Sequence, residues 1–304
     1  MSISVYFPSS LTVTAFAVTM PETLNTVTSS NQYEPDVAAF ADGRFVVVWR
    51  SDGQDGSGAG VYFQRFDASA NKLGPETLAN TLTASNQYEA KVGSLVGGGF
   101  VIVWRDDNGA DGSGNAVFGQ RFDAAGNKLG AETRASTPLP ANPYIAEYEP
   151  AIALLNDSSG DFVITWTDNT ADGSASGIFG QRFNADGSAD GASFRVNTYT
   201  DSSQGQSAVA ALGGGAFVVV WASYGQDGSY QGIYGQRFDG AGTPAGAEFR
   251  VNYSVSGDQI RPAVTGLTNG GFVVTWDDYS NVWLQQYDAG GRAVDSQIGR
   301  ASCR

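Results

Sequence analysis

The chain has 304 residues, no histidine, one cysteine (Cys303) and a formal net charge of −14. That composition excludes Ser-His-Asp and Cys-His nucleophiles, histidine- or thiolate-held zinc and an intrachain disulfide. It also opposes nucleic acid, whose phosphates need a basic surface, and no apolar run reaches the roughly 18 residues of a membrane-spanning helix, so no membrane insertion is expected.

In chain order, the first twenty residues are mildly apolar, and Ala15-Phe16-Ala17 resembles a signal-peptidase site. No Lys or Arg precedes it and Pro8 interrupts it, while Val13, Ala15 and Ala17 alternate as in a strand, so a strand is the better reading. Pro21-Glu-Thr-Leu24 copies Pro75-Glu-Thr-Leu78, which places the start of the chain inside an outer strand.

An apolar run ending in tryptophan then recurs five times, closing on Trp49, Trp104, Trp166, Trp221 and Trp276 at spacings of 55, 62, 55 and 55. The long interval carries Pro138-Leu-Pro140 and Asn142-Pro143, a rigid insertion between repeats. Each repeat divides into four short β pieces. A polar turn precedes the first, as at Glu34-Pro35-Asp36, and the tryptophan run is the second, its β-branched continuity marking a strand buried on both faces. A third piece ends in Gln-Arg-Phe, as at Gln120-Arg121-Phe122, and a fourth is short, as at Glu76-Thr-Leu78. Tight turns such as Asp123-Ala-Ala-Gly126 join the last two.

Four antiparallel strands in each of five units predict an all-β fold, a five-bladed β-propeller in a single domain spanning 1–304. The blades fall at about 28–80, 81–136, 144–197, 198–252 and 253–298, and a strand over 12–27 closes the last blade. A competing detail is Gln297-Ile298, which lies near the expected fourth strand of that blade. An open solenoid or a string of sandwiches is the alternative.

Two features could carry chemistry. The loop between second and third strands supplies candidate calcium ligands at Asp52, Asp55, Asp107, Asp111, Asp168, Asp172 and Asp227, since carboxylate, hydroxyl and carbonyl oxygens on a Gly-rich loop suit a hard cation. An Asx-type turn explains the same Asp-Gly-Ser pattern without metal. Tyr33, Tyr88 and Tyr148, with Glu34, Glu89 and Glu149, precede the innermost strand and could line a channel mouth, where aromatic ring and carboxylate together suit a sugar. The last two repeats carry Gln206-Ser207 and Ile260-Arg261 at that place. Arg65, Arg121, Arg182 and Arg237 share one strand position and read as inter-blade contacts, and the tryptophans as packing between blades.

The Asn31 to Pro35 opening, the Phe-Val-Val-Val-Trp strand, the Asp-Gly-Ser loop and the Gln-Arg-Phe-Asp strand end resemble tandem repeats of large secreted or surface proteins of bacteria, adhesin-like and often calcium-associated. The resemblance spans about residues 20–290 and implies surface display and binding. The expected function is therefore a non-catalytic, extracellular or cell-surface binding module for a glycan, calcium or both, and not an enzyme. A structural spacer is one alternative. A glycoside-active enzyme is the other, marked by an unmatched Asp/Glu pair at the channel mouth of one blade.

Overall fold

The computed structural model describes residues 23–84, 86–107, 114–136, 146–155, 159–169 and 173–294. It is all-β, a β-propeller arrangement of five antiparallel sheets in chain order. The first blade holds β1 (Gln32–Ala39), β2 (Phe45–Asp52), β3 (Ala59–Phe66) and β4 (Thr77–Leu78). The second holds β5 (Gln87–Ser94), β6 (Phe100–Asp106), β7 (Ala116–Phe122) and β8 (Lys128–Arg134). The third holds β9 (Glu147–Leu154), β10 (Phe162–Asp168), β11 (Gly177–Phe183) and β12 (Ala189–Arg195). The fourth holds β13 (Gln204–Gly213), β14 (Ala216–Tyr224), β15 (Gln231–Phe238) and β16 (Phe249–Arg250).

The fifth blade differs. It holds three described strands, β17 (Ile260–Gly266), β18 (Phe272–Asp277) and β19 (Val282–Tyr287), where four were expected. The segment at Gln297-Ile298, and all of the expected closing strand before Thr23, lie outside the described residues. Among those described, no helix is long and apolar enough to cross a membrane.

The core lies between blades. The second strands are buried on both faces, with Val46, Val48, Ile102, Val103, Val218 and Val220 fully enclosed. Burying such a side chain stabilises by about 1.5–3 kcal/mol, and the repeat multiplies that term around the molecule. Trp104, Trp166 and Trp221 are fully buried, so the tryptophans are packing residues. Trp104 clusters with Val46 and Val48 of the preceding blade, and Trp221 with Leu155 and Val163 of its own predecessor. Arg65 donates to the carbonyl of Ala124 at 2.9 Å and Arg237 to those of Gly290 (2.7 Å) and Ala289 (2.9 Å), each on the turn of the following blade. Arg121 does the same to Asp186, whereas Arg182 pairs with Asp190 of its own sheet at 2.9 Å.

Inner strands pack in series, β1 on β5, β5 on β9, β9 on β13 and β13 on β17. Among the described residues, β17 and β1 make no comparably extensive contact.

Candidate active site

Every inner strand is interrupted at the same place by a bulge, between Tyr33 and Asp36, Tyr88 and Lys91, Tyr148 and Ala151, Gly205 and Ala208, and Ile260 and Ala263. One non-glycine residue at each bulge adopts a left-handed backbone: Glu34 (φ 55°), Glu89 (56°), Glu149 (54°), Gln206 (59°) and Arg261 (53°). Such residues are uncommon and need compensation.

The compensation comes from the preceding blade. Glu34 accepts the amide of Glu89 at 2.7 Å, Glu89 that of Glu149 at 2.6 Å, Glu149 that of Gln206 at 2.6 Å, and Gln206 that of Arg261 at 2.8 Å. A bulge leaves an amide that the strand ladder does not serve, and an acceptor from the neighbouring blade satisfies it. The side chains at this position therefore stitch the inner strands together in series, from β1 to β17. The register corrects the sequence reading of the fourth repeat by one residue: Gln206, not Ser207, stands where the glutamates stand. Ser207 instead shares a hydrogen bond with Thr165 at 3.1 Å.

Glu89 is the most constrained carboxylate of the set. Burial pushes its carboxyl up from the ordinary range, opposed by the Glu149 amide and Arg105, with the charges of Glu149 and Glu34 adding to the rise. Its other oxygen meets Arg105 at 3.1 Å. Around Glu89 the first two blades are filled by a stack. Arg50 lies over Tyr33 (5.2 Å) and Tyr88 (4.5 Å), Arg105 lies over Tyr88 (5.0 Å), and Asp52 holds Arg50 at 2.9 Å.

The stack stops at the third blade. Thr167 replaces the arginine and donates to Glu149 at 2.9 Å, and Ala222 takes the position in the fourth blade. With both guanidinium groups gone, a cleft of about 470 Å3 opens between these blades, lined by Tyr148, Glu149, Ser202, Ser203, Gln206 and Tyr224 among others. Burial raises the Tyr148 phenol, offset by its hydrogen bond to Ser176.

Of the expected sugar-contacting residues, then, Tyr148 and Glu149 face the cleft, Glu89 adjoins Glu149 from the preceding blade, and Tyr33, Glu34 and Tyr88 belong to the filled side. The third blade also carries a second glutamate where the others have glutamine, but Glu147 is buried on Arg134 at 2.8 Å and Ser136 at 2.7 Å and stays away from the cleft.

The described loop aspartates have protein partners. Asp55 accepts the Ser57 amide at 3.0 Å and Asp227 the Ser229 amide at 3.1 Å, both Asx-type turns. Asp107 accepts the Asn86 amide at 2.8 Å and its side chain at 2.9 Å, and Asp168 is buried at the end of β10. Asp111 and Asp172 lie outside the described residues. Among those described, no three acidic side chains form a group that could hold a metal ion.

No family model and no curated protein matches the sequence. Solved structures do resemble the fold. An α-L-arabinanase of Penicillium chrysogenum, complexed with arabinobiose, is 14% identical over 88% of this chain and 80% of its own, with a TM-score of 0.64. An α-L-arabinofuranosidase of Fusarium graminearum, bound to an iminosugar inhibitor, is 14% identical over 87% of this chain and 81% of its own, with a TM-score of 0.60. A Dyadobacter fermentans protein of unknown function is 12% identical over 86% and 74%, with a TM-score of 0.54. At these identities the likeness establishes the fold. The expectation of a non-catalytic, adhesion-type module that is not an enzyme is overturned by the same comparison. The two neighbours of stated activity are both enzymes of arabinose glycosides.

Proposed function

We propose that this chain is a glycoside hydrolase acting on arabinose-containing glycans, with Glu89 as proton donor and Glu149 as the partner carboxylate. The observation that carries the proposal is the pairing of these two glutamates on adjacent inner strands, the second opening into the cleft where the arginine stack ends. Glycoside cleavage needs one carboxyl that keeps its proton and one that is ionised across the scissile bond. Burial favours the protonated form of Glu89. Glu149 accepts the Thr167 hydroxyl and the Gln206 amide on one oxygen and lines the cleft. In this scheme Glu89 gives its proton to the departing oxygen as the glycosidic C–O bond breaks, and Glu149 as base takes a proton from the water whose oxygen bonds to the anomeric carbon. The polymeric substrate class fits an extracellular or cell-surface setting and the repeat style of bacterial surface proteins. Closure of the ring by the N-terminal strand belongs to the same proposal and keeps the inner mouth rigid.

Gln206 supplies an internal control. A glutamine already makes the inter-blade contact at this position, so both Glu89→Gln and Glu149→Gln should fold, Glu149→Gln melting like the parent and Glu89→Gln losing up to about 1 kcal/mol with its Arg105 pair, while release of reducing sugar from arabinan falls about 10²–10⁴-fold. The pH dependence follows from the raised Glu89 carboxyl. The donor is active when protonated, so activity is present below its raised pKa and lost as pH rises through it. Unchanged hydrolysis in both variants, or no sugar release by the parent from any arabinose glycoside, would remove the proposal.

A further inference from the structure

The fourth blade departs from its siblings at the rim of the cleft. Its turn keeps the frame of the first blade, with Gly225 donating to the carbonyl of Tyr230 at 2.6 Å as Gly53 does to that of Gly58 at 2.5 Å. The side chains on that frame are exchanged. Tyr224 stands at the position of Asp52 and Tyr230 at that of Gly58, while Ala222 stands at that of Arg50. The exchange removes an ion pair and adds two aromatic rings beside the space the arginine vacated.

Both rings are in water: Tyr224 is 44% exposed and Tyr230 58%. They meet edge to face, with centroids 6.4 Å apart at 81°. Each ring braces the other, which limits the rotamer freedom that a ligand would otherwise have to remove. Tyr224 lines the cleft and its amide is anchored to the Ser203 carbonyl at 2.9 Å. The cleft volume falls within the roughly 300–1,000 Å3 of small-molecule sites, and the serines and glutamine that line it are hydroxyl partners.

We infer that Tyr224, braced by Tyr230, is a stacking platform for a sugar ring next to the scissile bond, so the cleft selects oligosaccharide chains over single glycosides. The inference rests on the hydrolase reading and names the substrate class of that same site. The apolar C–H face of a sugar covers an aromatic ring, and such contacts are typically worth a fewfold to about tenfold in affinity.

The experiment compares the parent with Tyr224→Ala, Tyr230→Ala and Tyr224→Phe on a long linear arabino-oligosaccharide and on methyl α-L-arabinofuranoside, which has no second ring. For Tyr224→Ala, kcat/KM on the oligosaccharide is expected to fall about tenfold and on the methyl glycoside to stay within about twofold. Tyr230→Ala should show a smaller loss of the same kind, and Tyr224→Phe should match the parent. Equal losses on both substrates, or none, would overturn the platform. Calorimetric titration of the oligosaccharide into Glu149→Gln, with and without Tyr224→Ala, reads the platform without turnover. Tyr224-dependent binding by a chain that cleaves nothing would sink the catalytic reading and keep the platform. Cleavage by the parent, with a titration indifferent to Tyr224, would do the reverse.

Discussion

Glu147 occupies a position that is glutamine in the four other blades, at Gln32, Gln87, Gln204 and Gln259. At three junctions an asparagine after the preceding blade's outer strand binds both that glutamine and a third-strand amide of the preceding blade: Asn80 to Gln87 and Val61, Asn197 to Gln204 and Ile178, Asn252 to Gln259 and Ile233. At the second junction Ser136 is too short for either task. Glu147 takes over the Val117 amide at 3.1 Å, and Arg134 turns inward to neutralise it, its side chain only 9% exposed. Removing one partner of a buried pair strands the other charge. Glu147→Gln should therefore cost roughly 3 kcal/mol in urea unfolding, while Ser136→Asn with Glu147→Gln, which restores the arrangement of the other junctions, should recover most of it. A single variant as stable as the parent would show that Arg134 reaches solvent without loss.

The turns are the elements most easily misread. The Asp-Gly-Ser loops read as calcium ligands or as Asx turns, and in the first and fourth blades Asp55 and Asp227 cap turns. Gly56 has φ of 90° with open space around its would-be side chain, so Gly56→Ala should cost about 1–2 kcal/mol through backbone strain alone. Asp55→Asn keeps the acceptor oxygen and should melt within about 0.5 kcal/mol of the parent, in chelator or out of it. A fall in melting temperature on chelation, reversed by calcium, would place a cation on these loops instead. The strands themselves were plain to read, because a run such as Phe217-Val-Val-Val-Trp221 has one solution, burial between two neighbours. The left-handed glutamates were not. By pattern Glu89 precedes the innermost strand, whereas it stands inside β5, and only the neighbouring blade determines that its side chain must meet the Glu149 amide. The cleft was hidden for a related reason: it is made by what Thr167 and Ala222 lack, and a missing arginine shows only when repeats are laid side by side in the correct register.

At the scale of the whole molecule, the first blade is treated as though another preceded it. Leu24 lies on the cluster of Val47, Trp49, Tyr62 and Phe66, as Ala79 and Val251 lie in the clusters of the blades that follow them. Thr26 donates its amide to Glu76 at 2.6 Å, as Thr81 does to Glu132 and Thr198 to Glu248 at 2.6 Å each. Asn25 reaches Gln32 at 2.8 Å, as Asn252 reaches Gln259 at 2.8 Å. Residues 24–26 thus hold the place of an outer strand's end from a preceding blade, and the fifth blade is the one whose described sheet ends at β19. If 12–27 pairs with β19, it joins the two ends of the series and covers an edge that would otherwise recruit other chains. Deleting residues 1–27 should then lower the melting temperature of the whole chain in one cooperative step and promote aggregation through Val282 to Tyr287. Deleting 299–304 should change little. Should the first deletion melt like the parent, the edge of β19 is served by Gln297-Ile298 or left open, and the closing role of the N-terminal strand is lost.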